Sequence, residues 1–169
     1  DKIQVAAQSS ILDVNDLQKA FAYAGSTADM TGISFDQLIS IMAVLSNRAL
    51  EAGISARSVN KMFLDILDSI PQMQKWADSM GFAFDVVKDG ALNIDEIVHN
   101  FGEMGVSIEM LEQSTDIFTV RALRAWGLLL GASDDYSDML RTVNNSSGVL
   151  AEQTAVMMTS FTAQFARLK

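Results

Sequence analysis

At 169 residues and 18.4 kDa, the chain is long enough for one domain with a full core. Hydrophobic residues make up 49% and charged residues 20%, a globular composition and not that of a disordered chain. The 21 acidic residues against 12 basic ones give a net charge of −9 and a pI near 4.4, which argues against duplex nucleic acid or an anionic membrane surface as the main partner, since both need a basic patch. With no cysteine, disulfides, thiol nucleophiles and Cys-zinc sites are excluded, and the single His99 cannot build a His-rich metal site. A single proline beside plentiful Ala, Leu, Met and Ile favours helices. The longest apolar run, Ala125 to Ala132, is less than half of the roughly 20 residues that span a bilayer. No charged segment followed by an apolar one opens the chain as a signal peptide would. Because it begins at Asp1 and not Met, we expect a segment of a longer protein.

In chain order, Asp13 to Met30 reads as a helix, with Val14, Leu17, Phe21 and Ala24 at three- and four-residue steps, fraying near Gly25 or stopping at Gly32. Ser34 and Gln37 form a Ser-x-x-Gln capping box, with Ile33 and Leu38 as its hydrophobic staple. Leu38, Ile41, Met42 and Leu45 are the buried stripe of that helix, which Gly53 is expected to end. Ser55 begins another, with Val59, Met62, Phe63, Ile66, Leu67 and Ile70 on one face, stopped by Pro71. Gln72 to Met80 is a short helix closed by Gly81.

Between Phe82 and Asn93 the period changes, and Lys88-Asp89-Gly90 marks a turn between two short extended stretches. Asn93 starts a helix with Glu96 at the box position, ended by Gly102 and Gly105; Ser107 starts the next, with Ile108, Leu111 and Ile117 inward. Phe118 to Leu130 is apolar nearly all round and is expected to be the central buried helix, closed by Gly131. Asp134 to Asn144 and Gly148 to Lys169 complete the series. The expectation is an all-α fold: a compact multi-helix bundle of about eight short to medium helices, with a small two-stranded turn near residues 82–93, in one domain over 1–169.

Sites for chemistry are few. Asp85, Asp89, Gly90, Asn93 and Glu96 fall on the first, fifth, sixth, ninth and twelfth positions of an EF-hand calcium loop flanked by helices. The third position is Val87, which offers no side-chain oxygen, and no second loop exists to pair with it. A solvated Asp-Gly turn before a helix capped by Asn93 is therefore the preferred reading, and the calcium-binding helical module is the alternative. His99 has Asp95 and Glu103 four residues away on either side, and reads as a surface histidine between two helix carboxylates. Ser146-Ser147-Gly148 reads as a loop and cap, and no carboxylate pair marks a hydrolase dyad. Gly127 and Gly131 suit close packing in a soluble core. Ten methionines fit irregular core filling. No catalytic residue, cofactor or metal is expected.

Five segments in order resemble the core region of phage tail tape measure proteins, the family founded on lactococcal phage tails. They are Ala22–Leu38 (AYAGSTADMTGISFDQL), Leu45–Phe63 containing AGISARSVNKMF, Gly81–Ile97 (GFAFDVVKDGALNIDEI), Ile117–Leu130 (IFTVRALRAWGLLL) and Ser147–Lys169 ending in EQTAVMMTSFTAQFARLK. The Gly81–Ile97 likeness includes the family's Asp-x-x-Gly turn and so explains the calcium-loop pattern without calcium. Thr119 departs from the family, which usually has glycine there. The resemblance implies a non-enzymatic structural protein of a tailed phage or prophage virion. Such proteins set tail length during assembly, occupy the tube lumen and leave it ahead of the DNA. The ruler is a long helical part outside this core, so the segment is expected to be a compact domain attached to it. Implied partners are the tail tube protein, the tail tip or baseplate hub, tail assembly chaperones, further copies in a homo-oligomer, and the host envelope during ejection. Sequence-specific nucleic acid is not among them. The implied location is the virion tail, with host cytoplasm during assembly.

Overall fold

Local capping chemistry sets where the helices start, and a computed structural model of the protein describes residues 2–8, 10, 14–48 and 50–146. Helix α1 spans Lys2–Gln8, α2 Val14–Met30, α3 Phe35–Asn47, α4 Ala52–Asp68 and α5 Ile70–Ser79. A hairpin of β1 (Val87–Lys88) and β2 (Ala91–Leu92) follows, then α6 (Ile94–Glu103), α7 (Ile108–Ser114) and α8 (Val120–Leu130). Residues 133–146 are helical as well and are called α9. The architecture is all-helical apart from the one small antiparallel pair.

At the start of α3, the Ser34 hydroxyl accepts from the Gln37 N–H at 3.2 Å and the Gln37 side chain accepts from the Ser34 N–H at 2.8 Å. Ile33 and Leu38 are both buried beside this box. Ser107 caps α7 in the same way, accepting from the Met110 N–H at 3.1 Å. In the hairpin, Val87 pairs with Leu92 and Lys88 with Ala91. Asp89 (φ 53°) and Gly90 (φ 82°) are both left-handed, as a two-residue hairpin turn requires.

Two helices form the centre. In α3, the nine residues from Leu38 to Ser46 are all buried, so this helix is covered on every side. Helix α4 packs against α2, α3, α5 and α8. The second half of the core is aromatic. Trp76, Phe101 and Trp126 lie within 4.5–6.4 Å of one another by ring centroids, Phe118 stacks on Trp126 at 4.7 Å, and Phe82 and Phe84 pack against Phe101. The Trp126 indole N–H donates to the Ser114 hydroxyl at 3.0 Å, and that hydroxyl donates to the Met110 carbonyl at 2.7 Å, so this buried pair is satisfied, whereas the buried Trp76 indole N–H has no hydrogen-bond partner among the described residues.

Several boundaries differ from the sequence expectation. Helix α1 was not expected. Helix α2 runs through Gly25 without a break. Helix α3 ends at Asn47, six residues before Gly53, and Gly53 lies in the first turn of α4, where its N–H donates to the Glu51 side chain. Pro71 does not stop α4; it sits in the first turn of α5, where its missing N–H costs no helix bond. Helix α8 is amphipathic and not all-round apolar: Ala122, Ala125, Trp126, Leu129 and Leu130 are buried while Val120 is 88% exposed. In α7 the inward residue is Met110, and Ile108 is exposed. The expected helix from Gly148 to Lys169 lies outside the described residues.

Two glycines permit close approaches. A Cβ on Gly32 (φ 71°) would lie 2.3 Å from the Ala91 Cβ, and the adjacent Thr31 carbonyl accepts from the Leu92 N–H at 2.8 Å, so the α2–α3 turn is pressed onto the hairpin. Gly102 lies inside α6, where a Cβ would meet the Ser133 Cβ at 2.4 Å. By contrast, a Cβ on Gly127 would meet Leu111 at 3.6 Å, an ordinary contact. Gly32→Ala should therefore cost at least about 2 kcal/mol, from left-handed strain plus overpacking. Gly25→Ala, in a helix interior where the new Cβ would meet only Phe21 at 4.0 Å, should stabilise by about 0.5–1 kcal/mol. Urea unfolding of both variants checks the opposite signs.

Candidate interaction surface

The residues with a calcium-loop pattern do not converge. Val87 and Lys88 are drawn into the hairpin, and Asp89 sits at its turn. The Asn93 side chain donates to the Asp85 carbonyl at 3.1 Å, and its N–H donates to the Val86 carbonyl at 2.9 Å, closing the base of the hairpin. Asn93 therefore holds the N-cap position of α6 without a side-chain cap bond. Glu96 accepts from the Asn100 side chain at 2.9 Å, one turn along the helix, and does not return as a capping-box partner. From the other side, the Gln74 side chain donates to the Phe84 carbonyl at 3.1 Å and accepts from the Val86 N–H at 2.8 Å. Among the described residues, no group of three or more His, Asp or Glu side chains is placed to hold a metal ion.

His99 is exposed, but Asp95 is turned away from it. One Asp95 oxygen accepts from the Gln37 side chain at 3.0 Å and the other from the Tyr136 hydroxyl, tying α6 to the start of α3 and to α9. Burial, and then the neighbouring Asp95 carboxylate, hold the Tyr136 phenol well above its ordinary value of 10.0. A second structural carboxylate, Asp65 on α4, is buried, at 5% exposed. It accepts from both the N–H and the hydroxyl of Thr119 at 2.9 Å each, and pairs with Lys61 at 2.6 Å. The Thr119 side chain thus supplies a bond that a glycine could not, and the carboxylate lies at the positive end of α8. Neither role was visible in the sequence, because Tyr136 lies 41 residues from Asp95 and Thr119 lies 54 residues from Asp65.

What remains is surface. A groove of ≈ 280 Å³ runs between α5 and the end of α7, lined by Gln72, Lys75, Trp76 and Ser79 on one side and Gln113, Asp116 and Ile117 on the other. A cleft of ≈ 290 Å³ between α3 and α9 holds Asp135 and Asp138, each already paired with an arginine: Arg48 at 2.6 Å and Arg141 at 3.0 Å. No histidine lines either one. Ser146 ends the described part of α9, with its hydroxyl donating to the Val143 carbonyl at 2.6 Å. No helix among the described residues is long and apolar enough to cross a membrane. Such an arrangement suits binding through shape, exposed apolar side chains and charge.

Two measurements follow from this geometry. Calcium added up to about 1 mM should give no binding heat and no change in melting temperature, because the pairing of Val87 and Lys88 in the hairpin keeps the candidate oxygens from converging on one point. A calcium-dependent rise in melting temperature lost in Asp89→Asn would contradict it. Tyr136 has a raised folded-state pKa, so the stability it contributes is fully present below about pH 10 and is lost as pH rises through the higher folded value. Ultraviolet titration should show its phenolate appearing only with alkaline unfolding, and Tyr136→Phe should remove that component and cost about 1.5–3 kcal/mol.

Against known proteins, no curated sequence and no solved structure matches the chain. The family model described as phage-related minor tail protein matches residues 1–117, which takes in α1 through α7, the hairpin, Asp65 and Asp95. That match, over more than half of the chain, places it in the phage-related minor tail protein family.

Proposed function

We propose that this chain is the core domain of a tail tape measure protein, acting in tail assembly, length determination and DNA delivery through the tube. The observation that carries this reading is the minor tail family match over residues 1–117, a stretch that holds three of the tape-measure-like segments in order: Ala22–Leu38, Leu45–Phe63 and Gly81–Ile97. Each of the three lies on a junction of the fold. The first spans the α2–α3 turn pressed onto the hairpin, the second the passage from α3 into α4, and the third the hairpin and the start of α6. Junctions are where backbone geometry restricts residue choice most, so a likeness concentrated there supports a shared fold. The fourth segment, Ile117–Leu130, contributes α8 to the same core.

In this reading the domain belongs to a longer chain whose extended helical part is the ruler. It meets the tail tube protein, the tip or baseplate hub, the assembly chaperones and further copies of itself, and reaches the host envelope at ejection. Assembly takes place in the host cytoplasm. The net charge of −9 supports passage through a lumen shared with DNA, because like charge keeps the domain from adhering to the phosphate backbone. Purified particles probed on a denaturing gel with an antibody to this segment test the proposal. The expected result is a band far above 18.4 kDa in the tail fraction. A free protein of that smaller mass, absent from particles, would sink it.

A further inference from the structure

We propose that the groove between α5 and the end of α7 binds a short extended segment of another polypeptide, recognised through its peptide groups. The inference concerns this groove alone and does not rest on the tape measure reading.

The Trp76 indole N–H is what points to a ligand. Trp76 is 7% exposed and lines the groove, yet its N–H is buried and has no hydrogen-bond partner among the described residues. A buried donor in that state is rare in folded proteins, because it has given up water without a replacement. On the core side the ring meets Phe101 at 4.5 Å and Trp126 at 6.4 Å between centroids, and neither ring offers an acceptor. The Ser114 hydroxyl beside Trp126 already accepts from the Trp126 N–H and donates to the Met110 carbonyl. An acceptor for Trp76 therefore has to arrive through the groove. Gln72 and Gln113 flank it and are exposed, and rotation of such side chains uncovers a donor on the floor without moving a helix.

The two walls select the chemistry. The α5 wall carries donors, the Trp76 N–H and the Lys75 ammonium, and the opposite wall carries the Asp116 carboxylate, an acceptor. Gln72 and Gln113, one on each wall, can donate or accept. Among the described residues the Gln72, Lys75, Gln113 and Asp116 side chains make no ion pair or hydrogen bond, so all four are available. A phosphate or other anion would gain Lys75 and be repelled by Asp116. A metal ion or amine would meet the reverse. A hydrocarbon chain would leave the Trp76 N–H unpaired. A trans peptide unit is neutral and points its C=O and its N–H in opposite directions, so one unit lying along the groove gives an acceptor to the α5 wall and a donor to Asp116. Trp76 and Ile117 add apolar surface for one side chain of the segment.

NMR of the whole chain provides the test, because its two tryptophans give two indole N–H resonances. Trp126, already bonded to Ser114, serves as the internal control. The probe is N-acetylleucine methylamide, a minimal peptide with an apolar side chain. It should move the Trp76 resonance downfield and saturate with a dissociation constant on the order of 1 mM, leaving Trp126 in place. N-acetylleucine methyl ester lacks one N–H and should bind about 10-fold more weakly. Asp116→Leu, at an exposed position, should keep the wild-type melting temperature and remove the preference for amide over ester. A Trp76 resonance unmoved by the methylamide up to about 50 mM would overturn the proposal. So would an ester that binds as tightly as the amide, or an amide preference that survives in Asp116→Leu. Saturable movement of Trp76 by inorganic phosphate would make the groove an anion site instead, and movement with chain concentration alone would make the occupant a second copy; either result also overturns it.

Discussion

The buried position of α4 is the constraint on which the rest of the fold depends. This one helix contacts α2, α3, α5 and α8, so it must be covered on most of its circumference while remaining short of large side chains. Its sequence answers with small residues where neighbours come close. Ala52, Gly53, Ser55, Ala56 and Ser58 are buried in its first half, and Val59, Met62, Phe63 and Ile66 fill the space in its second. Asp65 belongs to the same surface. An ionised carboxylate in that position would be costly alone, and here Lys61 and the two donors of Thr119 offset the cost. The acid thus specifies where α8 begins against α4, which hydrophobic packing alone would leave free to slide.

Asp95 has a parallel role on the other side of the molecule. It collects Gln37 from the α3 capping box and Tyr136 from α9, so three segments distant in sequence share one carboxylate. Gln37 serves two purposes at once: its oxygen closes the cap on Ser34 while its nitrogen reaches Asp95. A local helix-start signal is in this way coupled to a tertiary contact. Acidic residues at these two positions are structural, and the acidity of the chain as a whole is not evidence of a catalytic or metal-binding cluster.

Two helix starts were legible in the sequence because capping is local chemistry: Ser34 with Gln37 and Ser107 with Met110 each act over three residues, whereas the start expected at Ser55 lies at Ala52, capped by Glu51, and Asn93 with Glu96 forms no box. Helix ends were less so. Gly53 and Pro71 read as stop signals, yet both occupy first turns, where a free N–H or a missing one is tolerated. The two-stranded turn was legible because Asp-Gly specifies a left-handed pair, and the same residues produced the calcium-loop likeness. Which apolar residues face inward was harder to see. In α8 the apolar residues Val120, Leu123 and Leu128 are not fully covered, while in α3 the polar Ser40 and Ser46 are. Burial in these cases follows from which helices surround the segment, and a periodicity count holds no information about that. Asp65 and Asp95 were missed for the same reason, since each is defined by partners that only the folded chain brings near.

The family match ends at residue 117, but the core does not. Trp126 is fully buried against Trp76, Phe101 and Phe118, and Ala122, Ala125 and Leu129 are fully buried in the same core. Gly102 accepts Ser133 at the start of α9, and Tyr136 satisfies Asp95. Residues 118–146 therefore complete the hydrophobic core and the hydrogen bonding of the matched region. A fragment ending at residue 117 would expose Trp76 and Phe101 and take from Asp65 and Asp95 their Thr119 and Tyr136 donors, a combination of lost burial and lost hydrogen bonds. The segment that follows the matched region packs into the same core.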